Sequence, residues 1–343
     1  MAGHFSLGMA VILVSGVFNG AFPLPMKMTR GWNWENTWLA FSVAAVLLLP
    51  WLLAAVFVPH LAQVYSKASR QSIEYPALFG FLWGIAQVTF GIGIDAVGMA
   101  VAIAVVSGLG ALSGALVPLL VLHPEDIFRP RGIFLLVGLP VLLVGIFLYG
   151  KAGRLRERDV AGSRFEPGAS SQGFMKGLAI CLFTGIFASN FNLGFAFSDG
   201  LPHVAIMLGA TPARATYAVW AIVFTAGFLP NLIYCAYLLS RHHTWRLFAS
   251  GDSLRNLILS LAMAALWVTG VFGYGVGATV AGNYGTSIGF TLFMASSILS
   301  SNVIGLWSGE WRMTTRVTRR ILTAGIIMIL LSVVVLNLPG LLV

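Results

Sequence analysis

The feature that most limits what this chain can fold into is a succession of apolar runs, each close to the length needed to cross a bilayer. They fall near residues 4–24, 37–58, 76–96, 99–122, 132–150, 173–198, 215–239, 256–279, 286–307 and 319–338. A membrane-crossing helix needs about 20 mostly apolar residues. Hydrocarbon supplies no water to satisfy backbone N–H and C=O groups, so such runs must be helical. The expected fold class is all-α integral membrane with ten transmembrane helices, and little chain is left for anything outside the bilayer. Only 9% of the 343 residues are charged, against roughly 25% in an average soluble domain, which excludes a soluble globular protein.

The formal charge of +9 would suit a polyanion if it were gathered in one patch. Instead Lys and Arg sit in the short loops, a pattern of membrane topology that leaves nucleic acid out and makes the lipid bilayer the partner. Of the 20 cations, 15 fall in alternate loops, at Lys27 and Arg30, Lys151 through Lys176, Arg241 through Arg255, and Arg312 through Arg320. The positive-inside rule makes that side cytoplasmic, so both termini are expected to be periplasmic in a bacterial inner (cytoplasmic) membrane. The first cation, Lys27, follows the first run, so that run lacks the basic lead of a cleavable signal and reads as a true span. Cys181 and Cys235 lie inside apolar runs, where a free thiol is a small hydrophobe, and no disulfide is expected.

The longest polar stretch, 151–172, carries Arg154, Arg156, Glu157, Arg158, Asp159, Arg164 and the Pro167-Gly168 pair. It divides the chain into a first five-helix repeat (1–150), a cytoplasmic linker (151–172) and a second five-helix repeat (173–343). Because five is odd, the halves would insert with opposite orientation, the arrangement of inverted-repeat carriers. Faint self-similarity agrees with this. Phe18-Asn19-Gly20-Ala21-Phe22 pairs with Phe191-Asn192-Leu193-Gly194-Phe195. Leu82-Trp83, Gly91, Gly93 and Gly98 pair with Leu266-Trp267, Gly275, Gly277 and Gly282 at a constant offset.

The stretch Gly31-Trp32-Asn33-Trp34-Glu35-Asn36-Thr37-Trp38, followed by Leu49-Pro50-Trp51 and Phe79-Gly80-Phe81-Leu82-Trp83-Gly84, resembles the L-rhamnose–proton symporter family of the drug/metabolite transporter superfamily. The similarity continues in order through Gly150 to Arg158, Gly185-Ile186-Phe187, Asn231-Leu232 with Cys235, and Leu266-Trp267 with Tyr274. The resemblance implies two inverted five-helix repeats and cation-coupled import of a 6-deoxyhexose. It departs from the family pattern at Asp95, where a basic residue is expected, and near Gly285, where an acidic one is.

The residues are consistent with a carrier. HExxH, GxSxG, P-loop and CxxC patterns are absent, so no enzyme, no ATP-driven pump, no metal site and no cofactor are expected; a proton or other cation would serve as coupling ion. A sugar site needs aromatic faces with amides and hydroxyls in a mostly apolar hollow. Trp83 and Gln87 share one helical face, as do Trp267 and Tyr274, and Asn19, Asn192 and Asn231 lie in mid-span, where carboxamides must face inward. These seven are the candidate substrate-binding residues, although such amides also serve simply to bond neighbouring helices.

Coupling needs a titratable group that is paired or wetted, and Glu35 and Asp95 are the candidates. Glu35 also reads as a first-turn acid after the Asn33 cap, and Asp95 as turn chemistry. None of the histidines has metal-like company in sequence. The tryptophans at span ends, Trp32, Trp34, Trp38, Trp51, Trp245, Trp307 and Trp311, read as interfacial anchors. Competing functions are an exporter or exchanger of metabolites or drugs and an uncoupled sugar facilitator, and the oligomeric state is monomer or homodimer. A tag at either terminus is expected to be labelled from outside intact cells; labelling only after lysis would reverse the topology.

Overall fold

The structure, a computed structural model, describes residues 2–97, 99–161, 171–198, 200–282, 285–307, 309 and 311–342. Among these it is helical, with no strand. Ten spans are long and apolar enough to cross a membrane: His4–Met28, Trp34–Phe57, Arg70–Ile94, Ala102–Leu122, Gly132–Val160, Met175–Met207, Pro212–Arg241, Ser253–Ala281, Ile288–Trp307 and Arg316–Leu336. Each matches an apolar run in the sequence, and many of their large side chains, such as Val56, Phe147 and Ile233, point outward as a lipid-facing surface would.

The departures from straight helices have local causes. Span one ends where Pro23 and Pro25 force a short 3-10 turn, Leu24–Met28. Span two starts three residues earlier than its apolar run because Asn33 and Asn36 form a reciprocal capping box. It then widens into a π-helical segment, Val43–Leu48, next to Pro50, whose missing N–H cannot continue the usual ladder. Span six breaks at Ser189 between helices Ser171–Ala188 and Asn190–Ala196. There Ser189 Oγ and Asn190 Nδ2 donate to the carbonyls of Ile186 and Phe187, occupying acceptors that the break leaves free.

The linker is not wholly loop. Helix Pro130–Ala161 carries span five well past residue 150, and Asp159 on that extension accepts from Thr315 N (2.8 Å) and Thr318 Oγ1 (2.7 Å) at the start of the last helix. Arg164 and Pro167-Gly168 lie outside the described residues.

Packing follows a regular pattern. Span one lies against spans eight and nine, and span six against spans three and four. Span three packs on seven, and span two on eight; span four packs on five, and span nine on ten; two meets seven, and five meets ten. Alternate crossings place residues 29–33, 242–252 and 311–315 at one end of the bundle, here the linker end. The other, the termini end, holds residues 58–69, 123–129, 208–211 and 285–287.

Helices in lipid gain nothing from excluding water from one another, so association depends on close van der Waals contact. The tightest example joins spans three and seven. A Cβ on Gly84 would strike the Gly227 carbonyl, and one on Gly227 would sit 2.7 Å from the Trp83 ring. Gly84→Ala is therefore expected to cost about 1–3 kcal/mol, measured by reversible unfolding in mixed micelles. Gly91→Ala, which meets open space, should leave stability unchanged.

Candidate functional site

The central feature is a cavity of about 320 Å³ walled by eight of the ten spans, all except five and ten. Its lining starts at mid-depth and runs toward the linker end: Asn19 and Phe22 late in span one, Trp38 and Phe41 early in span two, Gln87 and Phe90 late in span three, Val106 and Ser107 early in span four. The volume lies at the low end of the range for small-molecule sites, about 300–1,000 Å³.

The aromatic wall is continuous. Trp83 and Trp267 stack at 6.0 Å between centroids with planes 18° apart. Phe41 meets Trp267 edge-on at 6.1 Å, Trp38 lies 5.1 Å from Phe41, and Phe22 stacks on Phe41 at 5.4 Å. Behind the tryptophan pair, Phe224 supports both rings, at 5.6 Å from Trp83 and 5.0 Å from Trp267.

The polar wall divides into committed and free groups. Asn231 accepts from Trp38 Nε1 (3.2 Å) and donates to Gly227 O (3.1 Å), which fixes the indole against the cavity. Asn19 Nδ2 donates to Ser297 Oγ (3.0 Å). Gln87 and Ser107 have no hydrogen bond among the described residues, so their donors and acceptors face the hollow. A hydroxyl-bearing ligand in the hollow would find in Gln87 an uncommitted donor and acceptor, worth roughly one hydrogen bond.

Five of the seven predicted binding residues, Asn19, Trp83, Gln87, Asn231 and Trp267, thus line the same cavity. Asn192 and Tyr274 do not. Both are fully buried, with the Tyr274 hydroxyl donating to Asn192 Oδ1 and Asn192 Nδ2 donating to Gly114 O (2.7 Å) and Thr286 O (2.8 Å). Every polar atom of that amide is spent on neighbouring helices, so it does not reach the cavity.

Several aromatic residues of the cavity, Trp38 and Phe41 among them, escaped the sequence reading. Trp38 had been placed among the interfacial anchors and Phe41 had not been singled out, yet both line the site; their spacing of three puts them on one helical face. Trp32 and Trp51 also turn inward, donating to Leu247 O and Thr225 Oγ1, and Trp311 is buried. Trp34, Trp245 and Trp307 remain exposed, as anchors should.

Next to the cavity, at the linker end, Glu35 is buried at the start of span two. It accepts from Thr244 Oγ1 (2.9 Å) and Asn33 Nδ2 (3.4 Å) and lies 3.0 Å from His242 Nδ1. Asn36 Nδ2 donates to Thr244 O (3.0 Å), and Asn256 bonds both Arg30 N (3.1 Å) and Arg30 O (2.6 Å). This lattice fastens the loop before span two to the loop after span seven. The Asp95 side chain lies outside the described residues. One histidine does have acidic company: the ligand atoms of His123, Glu125 and Asp126 lie within 4.8 Å of one another at the termini end, away from the central cavity, with Asp126 paired to Arg129 at 3.1 Å.

A ten-span helical bundle around a mid-depth hollow of aromatic faces and a free carboxamide defines a multi-pass membrane transporter. The sequence profile of the family described as L-rhamnose-proton symport protein matches residues 1–341, and the chain belongs to that family. It is 25% identical over 342 residues to an L-rhamnose-proton symporter of Escherichia coli, covering 97% of each chain, and equally so to one of Shigella sonnei. The relative of the same name from Citrobacter koseri is 24% identical over the same span.

Gln87→Ala is expected to raise the KM for the transported solute about five- to tenfold, the loss of roughly one hydrogen bond, with stability unchanged. Asn192→Ala should instead lower stability by about 1–3 kcal/mol, because it strands the Tyr274 hydroxyl and two carbonyls. Transport kinetics and detergent unfolding, run on both variants, separate the two roles.

Proposed function

We propose that this protein imports L-rhamnose, or a closely similar 6-deoxyhexose, together with protons across the bacterial inner membrane. The observation that carries the reading is the central cavity, where stacked Trp83 and Trp267 lie beside the uncommitted Gln87 amide. A deoxysugar has an apolar face, with its methyl group, that suits aromatic rings, and an edge of hydroxyls that suits a free carboxamide. The relatives' shared name points to the same solute and the same ion.

Alternating access between two inverted halves, 1–150 and 173–343, is the transport mode of this proposal, as in the drug/metabolite transporter superfamily. Span one on eight and nine matches span six on three and four, span three on seven matches span eight on two, and span four on five matches span nine on ten when spans one to five are exchanged with six to ten, as a pseudo-twofold would give. At the offset of 184 the cavity lining pairs Trp83 with Trp267, Gln87 with Val271, Val106 with Phe290, and Gly110 with Met294. Residues near such an axis meet their own mates, which accounts for the tryptophan stack.

Glu35 is the proposed proton acceptor, ahead of Asp95. It is a buried acid one turn from Trp38, on a hydrogen-bonded boundary that must rearrange if the linker end is to open. The groups facing it are His242, Thr244 and Asn33, with the Cys235 thiol of span seven within range of its charge. The acid expected near position 285 has no replacement there: a Cβ on Gly285 would strike the Ala278 carbonyl.

Proteoliposomes should accumulate labelled L-rhamnose when an inward pH gradient is imposed and only equilibrate without it. Glu35→Gln should lose accumulation while keeping sugar exchange. Gradient-independent equilibration by the unaltered protein would make it a facilitator, absence of uptake would assign another solute, and full accumulation by Glu35→Gln would remove Glu35 from coupling.

A further inference from the structure

A second hollow, of about 410 Å³, lies at the termini end. Its wall includes Phe195 and Ser198 of span six, Thr216 of span seven and Thr279 of span eight, with Thr286 before span nine and His123 as the titratable group. The hydroxyl protons of Ser198, Thr216 and Thr279 are given to carbonyls of their own helices, at 2.7, 2.7 and 2.9 Å. What remains toward the hollow is hydroxyl lone pairs, a surface that accepts from a neutral ligand rich in O–H donors.

The two hollows are separated by a single layer. Phe191 lines the central cavity, Phe195 lines the outer one, and the two are one helical turn apart. Both stack on Trp220, at 5.1 and 4.8 Å. Phe290 and Thr286 bracket the same layer from the start of span nine. Tyr274 fills it from span eight, held by Asn192, whose amide ties spans four, six and eight to the segment before span nine.

This layer contains a polar atom without a partner. Trp220 Nε1 is fully buried with no acceptor among the described residues, and the indole is seated there because position 275 is glycine; a Cβ would come within 2.6 Å of that nitrogen. A buried donor left unmade costs free energy, so the closed layer is less stable than its packing alone would make it. Any opening that brings a hydroxyl to Trp220 Nε1 recovers that loss.

We infer that the outer hollow is the entry vestibule of the transport path, holding a neutral polyol, and that Trp220, Tyr274 and Asn192 form the gate between it and the central cavity. The ligand class rests on the sugar reading above; the gate does not. The test uses the full chain in right-side-out and inside-out vesicles with a membrane-impermeant maleimide. Its blank is the unaltered protein, whose Cys181 and Cys235 are buried.

Thr279→Cys should label from the termini side, and L-rhamnose should slow it. Ser107→Cys, in the central cavity, should label only slowly from the termini side, behind the closed layer. Adding Tyr274→Phe, which removes the hydroxyl and keeps the ring, should let Ser107→Cys label from the termini side roughly tenfold faster, as expected for one lost hydrogen bond. Trp220→Phe, which keeps a stacking ring but removes the unpartnered donor, is the second gate variant and should slow that labelling.

Thr279→Cys unreactive from the termini side, or Ser107→Cys labelling unmoved by both gate variants, overturns the gate. The expected labelling without rhamnose protection upholds the gate and removes the sugar. Rhamnose uptake with neither variant moving the label does the reverse.

Discussion

The constraint on which the structure depends is that a polar atom inside the bundle must find its partner within the bundle. Hydrocarbon offers none, so the position of each amide decides what it does. Asn231 and Asn192 are the same side chain, the first toward the linker end beside Trp38 and the second toward the termini end beside Thr286. The first holds a tryptophan against an open hollow, and the second closes a layer by bonding three neighbours. The difference is whether the amide donates to carbonyls of other segments, as Asn192 does, or to its own helix while accepting from an indole beside space, as Asn231 does. Gln87 completes the series as a cavity amide with no hydrogen bond among the described residues.

Small residues make that selection possible. Gly84 against Gly227 brings spans three and seven close enough to form the floor behind Trp83, and Gly275 gives Trp220 room to lie flat in the layer above. Neither contact is visible in hydropathy. Both set the distance between helices, and that distance determines whether an amide reaches a carbonyl or faces a cavity.

The ten spans were legible in the sequence because their signal is additive over about twenty residues and needs no knowledge of neighbours. Trp83, Gln87 and Trp267 were legible for a related reason, since helical spacing alone puts the first two on one face and an internal offset relates the first to the third. Tyr274 and Asn192 were read as solute contacts because sequence shows that a polar side chain must turn inward, not what it meets there. Trp38 was misplaced because position near a span end also describes interfacial anchors; only the capping box at Asn33, which starts the helix early, carries it inside. The helical continuation past residue 150 was missed because charge was read as loop, although Arg and Glu are good helix formers and Asp159 has a partner on the last helix.

The two ends of the bundle are closed by different physics. At the linker end the Glu35, Asn36 and Asn256 lattice is made of directional bonds to the Thr244 hydroxyl, the Thr244 carbonyl and the Arg30 carbonyl. Such a boundary has a defined geometry and responds to charge, because a change on Glu35 or His242 alters the bond at its centre. At the termini end the closure is mainly stacked rings, which tolerate sliding and are insensitive to charge, fastened by the one Asn192 amide. A carrier that couples solute movement to a proton needs the ion to act on one boundary and the solute on the other. The aromatic layer touches the central cavity through Phe191 and Phe290, whereas the lattice lies one helical turn from Trp38, which Asn231 holds against that cavity. On the proposed reading a bound solute would press on the aromatic layer directly, whereas a change of charge at Glu35 would act on the lattice first and reach the cavity through Trp38.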